Sequence, residues 1–350
     1  MSWNVADAAG FTRHPDHAAR WRRLHATSAG SPLLALEFAA AALEAFGSGA
    51  ERLVWYQAGN DAEIMAIMVP GRLGTWTTFQ PAQTPVGFWL QRDTHLDGER
   101  LDALLRVLPG PGLMLGLTQC DPMLLARPPD MPARVTLDYI DTARITLSGD
   151  FDSYWEKRGK NLRANLKKQR NRLRQEGVTP RLQVSRAEHE MAQAVDDYGR
   201  LENTGWKAAS GTAVAGENAQ GRFYRLLLEA FARQGAASVY RYWLDERLVA
   251  MDLCIEGGDC LVVLKTAYDE TLEGPFSPAL LMREEACRAL FDGGAVARIE
   301  FYGRVMEWHL RWTGEVRTMY HLNAYRWPWL RRLHARTATP QAAADDVANP

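Results

Sequence analysis

The sequence predicts an α/β (α+β) protein of two related lobes, each a mixed, mostly antiparallel sheet flanked by helices. Two observations carry that prediction. The order helix, strand, strand, strand, Pro-containing loop, helix, strand runs from residue 32 to 118 and recurs from 222 to 303. Short identities keep one common offset: LEAF at Leu43–Phe46 and Leu228–Phe231, Val54-Trp55 and Val239-Tyr240. A tetrapeptide of common residues recurs by chance in a chain this long, so the order of elements is the stronger observation. The 350 residues suit two domains. The expected boundary is Gly149-Asp150, giving lobes 1–149 and 150–330 and a disordered tail within 331–350, beyond about Thr337.

Each element has a local reason. Residues 15–28 and 32–46 read as helices, the second opened by Ser31-Pro32 as cap and first turn. RLVWYQA, AEIMAIMVP and RLGTWTTF follow as strands, with GND as the first turn. The loop QPAQTPVG leads to a helix at 97–108 and a strand at GLMLGLTQ, and the Pro-rich stretch 120–134 reads as loop. RVTLDYIDTARITL supplies β-type runs up to the boundary. A helix beginning at Asp152 or Ser153 and ending at Gly177 and Pro180 comes next. The run from Ala236 to Arg304 then reads strand, strand, strand, loop, helix, strand, with the helix starting after Ser277-Pro278.

Composition excludes several classes. A net charge of −1 gives no global attraction to DNA or acidic lipid. Cys120, Cys254, Cys260 and Cys287 form no CxxC pair, and no Cys/His spacing supports a metal site, so buried free thiols in a reducing, cytoplasmic setting are expected. No apolar run reaches the ~20 residues that cross a bilayer. There is no GxGxxG, no Walker loop and no nucleophile elbow around Ser277. His309 and His321 lie among aromatic residues and read as packed at the core edge.

Four stretches stand out as chemistry. The helix start after Ser277-Pro278 aims unpaired amides at the preceding loop, a natural seat for the phosphate of an acyl carrier. Lys265 alternates with apolar residues in a strand, which calls for a partner, either Asp269 or an anionic ligand. Trp206 and Lys207 stand between Gly205 and Gly211 on a loop or its shoulder, either as core and solvated residues or facing a substrate. Glu300 and Tyr302 share one face of a strand by its period of two. In addition, nine Lys/Arg and no acid lie between Lys157 and Arg174. That run is either a solvated face or a guide for a polyanion such as carrier phosphates, an anionic sugar chain or tRNA.

GWKAASGTA, the strand-borne Lys265 with Tyr268-Asp269, the Ser-Pro helix start and the EFYGR strand end together resemble the CelD-like acetyltransferase domain of the GNAT superfamily. That domain is related to the FemAB-like aminoacyltransferases, which use two GNAT-type lobes. The resemblance covers about residues 150–325, with a weaker echo over 30–120. Ala279 stands where the family has Gly, and Glu300-Phe301-Tyr302-Gly303-Arg304 replaces an acidic-Phe-Gly-x-Gly strand end. The resemblance implies an N-acyltransferase with a GNAT-type fold that moves an acyl group, such as acetyl from acyl-CoA (acetyl-CoA), onto an amine, in polysaccharide or cell-envelope biosynthesis. It implies that backbone N–H groups near Thr266 and Ala267 steady the oxyanion. Amides over Ser277, Pro278, Ala279, Leu280 and Leu281 would hold pyrophosphate. Glu300, or failing it Glu202, would act as base, with Tyr302 as a weak acid. Trp206, Lys207, Lys265 and Asp269 would face the acceptor, a small molecule or saccharide. No metal is implied. Two other readings stay open: FemAB-like aminoacyl transfer from tRNA, and a non-catalytic GNAT-fold binding module.

Overall fold

The computed structural model describes residues 2–59, 61–203, 214, 218–272, 274 and 276–337. The N-terminal half contains β1 (Ser2–Asp7), α1 (Pro15–Ala26), α2 (Leu36–Phe46), β2 (Arg52–Ala58), β3 (Asp61–Pro70), β4 (Thr75–Thr78), β5 (Trp89–Gln91), α3 (Gly98–Val107), β6 (Met114–Cys120) and β7 (Arg134–Thr146). The second half adds α4 (Phe151–Glu156), α5 (Lys160–Gln175), β8 (Pro180–Ser185), α6 (Glu188–Glu202), α7 (Ala219–Ala232), β9 (Ala237–Leu244), β10 (Arg247–Gly257) and β11 (Cys260–Tyr268). It continues with α8 (Pro278–Gly293), β12 (Arg298–Phe301), α9 (Glu307–Trp312), β13 (Glu315–Tyr325) and α10 (Pro328–Thr337).

The strands form one mixed sheet in the order β1-β2-β3-β4-β6-β13-β7-β12-β11-β10-β9-β8, with β5 paired to β3. Two pairings are parallel, and they occupy equivalent places in the repeated order of elements. Thr75–Thr77 of β4 runs beside Met114–Gly116 of β6, and Cys260–Val263 of β11 runs beside Arg298–Phe301 of β12. In both cases a helix, α3 or α8, makes the crossover that a parallel pair requires. The last strand of each half is exchanged. β13 lies against β6, β7 lies against β12, and β7 pairs with β13 from Arg134↔Ala324 to Arg144↔Glu315. Each half-sheet is therefore completed by a strand from the other half.

Helices cover both faces of the sheet. On one face α1, α2, α6 and α7 share a single apolar core, in which Phe223 meets Phe38 edge-on at 5.6 Å and Phe46 at 5.3 Å. The repeated LEAF segments thus lie on two helices that pack against each other. Phe223 is fully buried there. Phe223→Ala is expected to cost about 3–5 kcal/mol in urea unfolding, since both halves lose contacts at one cavity. On the opposite face, Leu162, Leu166 and Leu173 of α5 pack with Leu281, Met282 and Leu290 of α8. α3 places Leu101, Leu104 and Leu105 over the first half-sheet.

Several boundaries differ from expectation for identifiable reasons. Asp150, not Asp152 or Ser153, caps the basic segment by accepting the Ser153 N–H at 2.8 Å, and Gly159 divides that segment into α4 and α5. Ser31-Pro32 opens a short 3₁₀ turn, and α2 starts only at Leu36. β1 and β8 are edge strands with weak alternation, and the sequence reading missed both. α10 extends through Thr337 into the stretch expected to be tail; residues 338–350 lie outside the described residues. Gly294, at φ +60°, ends α8 in the left-handed conformation that glycine adopts without strain. All four cysteines are buried and free.

Candidate active site

The site forms where β11 and β12 part. β12 covers β11 only over Cys260–Val263, so from Leu264 onward β11 is paired with β10 alone. The Asp269 N–H donates to the Val249 carbonyl, so the pleat turns Ala267 and Lys265 toward β10 in the ladder. Thr266, between them, directs its N–H and C=O into the opening, and the Tyr198 hydroxyl donates to that carbonyl at 3.1 Å. Of the two backbone amides named for an oxyanion, only that of Thr266 faces the gap. The Ala267 amide belongs to the ladder.

Two cavities flank this stretch of strand. The first, about 520 Å³, lies between the start of α8 and α9 and is walled by Thr266, Tyr268, Leu272, Phe276, Trp308 and Trp312. Pro278, Ala279 and Leu280 also line it, whereas Leu281 is turned fully into the core. The amide cradle is narrower than expected. The Ser277 N–H donates to Oε1 of Gln169 at 2.7 Å, Pro278 has no N–H, and the Leu280 and Leu281 amides donate to the Ser277 carbonyl. Ala279 supplies the amide that remains. Below the cavity, Arg283 pairs with Asp252 at 2.7 Å, and Thr266 Oγ1 donates to the other Asp252 oxygen at 2.5 Å. Both charged groups are almost wholly buried. Asp269 also lines this cavity, but it is held by Arg247 at 2.6 Å and by Thr271. It does not pair with Lys265.

The second cavity, about 600 Å³, opens on the other side of β11, where the two halves meet. Lys265, Glu202, Tyr224, Tyr302, Gln119 and Arg304 line it. Glu202, at the end of α6, is 6% exposed; its Oε2 accepts the Val214 N–H at 2.8 Å and its Oε1 lies 3.5 Å from Nζ of Lys265. The Lys265 ammonium sits 5.9 Å from the Tyr198 ring and 5.7 Å from the Tyr224 ring. An apolar-looking strand can carry this lysine because an acid and two aromatic faces receive its charge. Gln119 forms part of the wall at φ +48°, and its N–H donates to Nδ1 of His321 at 3.1 Å.

Glu300 and Tyr302 do belong together, but Tyr302 lines the second cavity while Glu300 is buried in an ion-pair network and lines neither. Glu300 contacts Arg298 at 3.1 Å and Arg317 at 2.8 Å. Arg317 also grips both oxygens of Asp121, and the Tyr302 hydroxyl donates to Asp121 at 2.8 Å. Burial pushes the Glu300 carboxyl up while Arg317 pulls it down. Burial also raises the Tyr302 phenol, with Asp121 adding to the rise. Asp121 follows β6 and Arg317 lies on the exchanged β13, so this network joins the two halves. A carboxylate held between two guanidiniums is poorly placed to accept a substrate proton. Trp206 and Lys207 lie outside the described residues.

Residues absent from the sequence reading complete the site: Tyr198 on the Thr266 carbonyl, Gln169 on the start of α8, and the Arg283–Asp252 pair. Gln169 carried a visible signal, being a neutral residue among the basic ones on the leucine face of α5. Among the described residues, no group of three or more His, Cys, Asp or Glu could hold a metal ion. His309, packed against Trp308 at 3.5 Å, is lowered from 6.5 to about 4, first by burial and then by Arg283. Between those two values the unfolded chain takes up a proton that the folded chain refuses. Stability is therefore expected to be complete above pH 6.5 and to decline as pH falls toward 4. Urea titrations across that range should find a shallower decline in His309→Asn.

Residues 160–310 match the family described as the acetyltransferase (GNAT) domain, and this part of the chain is a GNAT-type domain. Three solved structures share the fold over nearly their whole length. The C-terminal DUF2156 domain of a putative lysylphosphatidylglycerol synthetase from Agrobacterium fabrum is 12% identical; the match covers 91% of this chain and 96% of that one, with a TM-score of 0.53. L-PGS from Bacillus licheniformis is 10% identical, with coverage of 91% and 96% and a TM-score of 0.51. A conserved protein of unknown function from Bacteroides thetaiotaomicron is 10% identical, with coverage of 88% and 97% and a TM-score of 0.54. At these identities the likeness is one of fold. No curated protein matches the sequence.

Proposed function

We propose that this protein is an N-acyltransferase in which a carrier-bound acyl group in the first cavity meets an amine in the second, across Thr266. The observation that carries this reading is the end of β11, open along its β12 edge, with a cavity on each side and one backbone amide aimed between them. The amine attacks the acyl carbonyl, and a C–N bond forms as the bond to the carrier breaks. The carrier leaves as a thiolate, or as an alkoxide that takes up a proton. The Thr266 N–H faces the developing oxyanion, and Glu202, the acid of the acceptor cavity, takes the ammonium proton. The aromatic wall of Phe276, Trp308 and Trp312 excludes water, which would otherwise hydrolyse the acyl group.

For the donor, the reading is acyl-CoA, with acetyl-CoA first; for the acceptor, it is a small-molecule or saccharide amine of the kind used in cell-envelope synthesis. The residues fit the thioester arm better than the phosphates, because Gln169 already occupies the Ser277 amide. That same contact favours a second reading, an aminoacyl group delivered by tRNA. One cation of α5, Arg172, lies 5.5 Å above the Phe276 ring of the cavity wall. Thermal unfolding with acetyl-CoA, longer acyl-CoAs and charged tRNA separates these readings, since a ligand that binds only the folded chain raises Tm. A rise with an acyl-CoA supports the first and a rise with charged tRNA alone supports the second. No rise with any of them leaves a non-catalytic binding module.

Lys167→Glu/Lys168→Glu is a companion test. If α5 guides a polyanion, the affinity of that donor should fall and its salt dependence should flatten. Unchanged affinity and salt slope would make the basic run a solvated face.

A further inference from the structure

Away from both cavities, α10 turns large apolar side chains outward. Trp329 and Leu333 are 57% and 53% exposed, and Trp327, just before the helix, is 44% exposed. The helical period places Trp329, Arg332 and Leu333 on one face, while Leu330, at the edge of that face, is half-buried. The Trp327 and Trp329 rings stack at 5.9 Å, and the Arg326 guanidinium lies 5.2 Å above Trp327. Met131, also about half exposed, adjoins the helix, because Arg331 donates to its carbonyl at 3.0 Å. A helix that served only packing would hold these residues inward.

Charge identifies the occupant. From Arg326 to Thr337 the sequence has four arginines and no acid, in a chain whose net charge is −1. One of them, Arg331, faces Asp130 at 3.6 Å, while Arg326 and Arg332 are exposed. Tryptophans beside arginines, with a leucine one turn on, suit the boundary where lipid headgroups meet acyl chains. A protein partner would need a shaped counter-surface, whereas a lipid surface needs only this mixture. No helix among the described residues is long and apolar enough to cross a membrane, so the contact lies in the plane of the interface.

We propose that this face docks the protein on an anionic membrane surface, with Trp327, Trp329 and Leu333 entering the headgroup layer and Arg326 and Arg332 meeting lipid phosphates. A single short helix makes such binding reversible and salt-sensitive. The proposal stands independently of the acyl-transfer reading, because no residue of this face lines either cavity.

The test is co-sedimentation of the 350-residue chain with phosphatidylcholine vesicles, with and without phosphatidylglycerol. Binding should require phosphatidylglycerol, weaken as salt rises, and drop roughly tenfold or more in Trp329→Ser/Leu333→Ser. Arg326→Glu/Arg332→Glu, which keeps the apolar residues, should lose binding as well, and Lys167→Glu/Lys168→Glu on α5 should retain it. Absence of binding by the parent chain would overturn the proposal, as would parental binding by both of the first two variants. Loss confined to the α5 variant would overturn it too. So would a solution dimer that Trp329→Ser/Leu333→Ser dissociates without any effect on vesicles.

Discussion

Glu202→Gln is expected to lower turnover by roughly 100-fold or more while leaving the donor-induced rise in Tm intact. The glutamine keeps the carboxylate's shape and can still accept the Val214 N–H, but it cannot take a proton from an attacking ammonium. Glu202 lines the second cavity and not the first, so on the proposed reading donor binding should not change. Steady-state rates, with Tm measured in parallel, check both halves of the prediction. Full turnover in the variant would remove Glu202 from the mechanism. Glu300→Gln gives the contrast. Its carboxylate holds Arg298 and Arg317 at the junction of the halves, so stability should fall before any step specific to catalysis does. If Glu300→Gln abolished turnover in a chain of parental stability, the base would be Glu300 after all.

Arg283→Met is expected to destabilise the protein by about 3–5 kcal/mol, as much as emptying the Phe223 site. The substitution removes the cation facing Asp252 and strands that carboxylate in a fully buried position beneath the first cavity. Arg283→Met/Asp252→Leu should recover much of the loss, because an apolar pair of similar volume brings no buried charge. Urea midpoints of the parent, the single variant and the double variant decide the point. A double variant as unstable as the single would mean that the cost arises from packing against Phe301 and Trp308 rather than from the stranded charge. If the double variant folds well, its donor affinity then measures what the pair contributes to the floor of the cavity. Thr266 loses its hydroxyl partner there, so its placement at the gap is the feature to watch.

Much of the frame was legible in sequence. The strands β9, β10 and β11 are apolar runs of the right length, α8 opens on Ser-Pro, and the repeated order of elements foretold two related half-sheets. Lys265 was legible as an anomaly, since an ammonium on a buried-looking strand demands a receiver. Its partner was not. Asp269 is only four residues away, yet the strand leaves it beside the first cavity with Arg247, while Glu202 comes from a helix 63 residues earlier. The Ser277 amide was misjudged for the same kind of reason: its acceptor, Gln169, lies 108 residues back.

The sequence by itself determined where most of the helices and strands form and the order in which they repeat. Those features rest on periodicity, caps and turn residues within a few positions of one another. Tertiary structure alone decided that β7 and β13 change places, that Glu300 closes a junction while Glu202 faces a cavity, and that Gln169 of α5 takes the Ser277 amide. Each of these depends on contacts between residues distant in the chain. Such contacts follow from how layers stack and which surfaces are left to meet, and no local pattern encodes that.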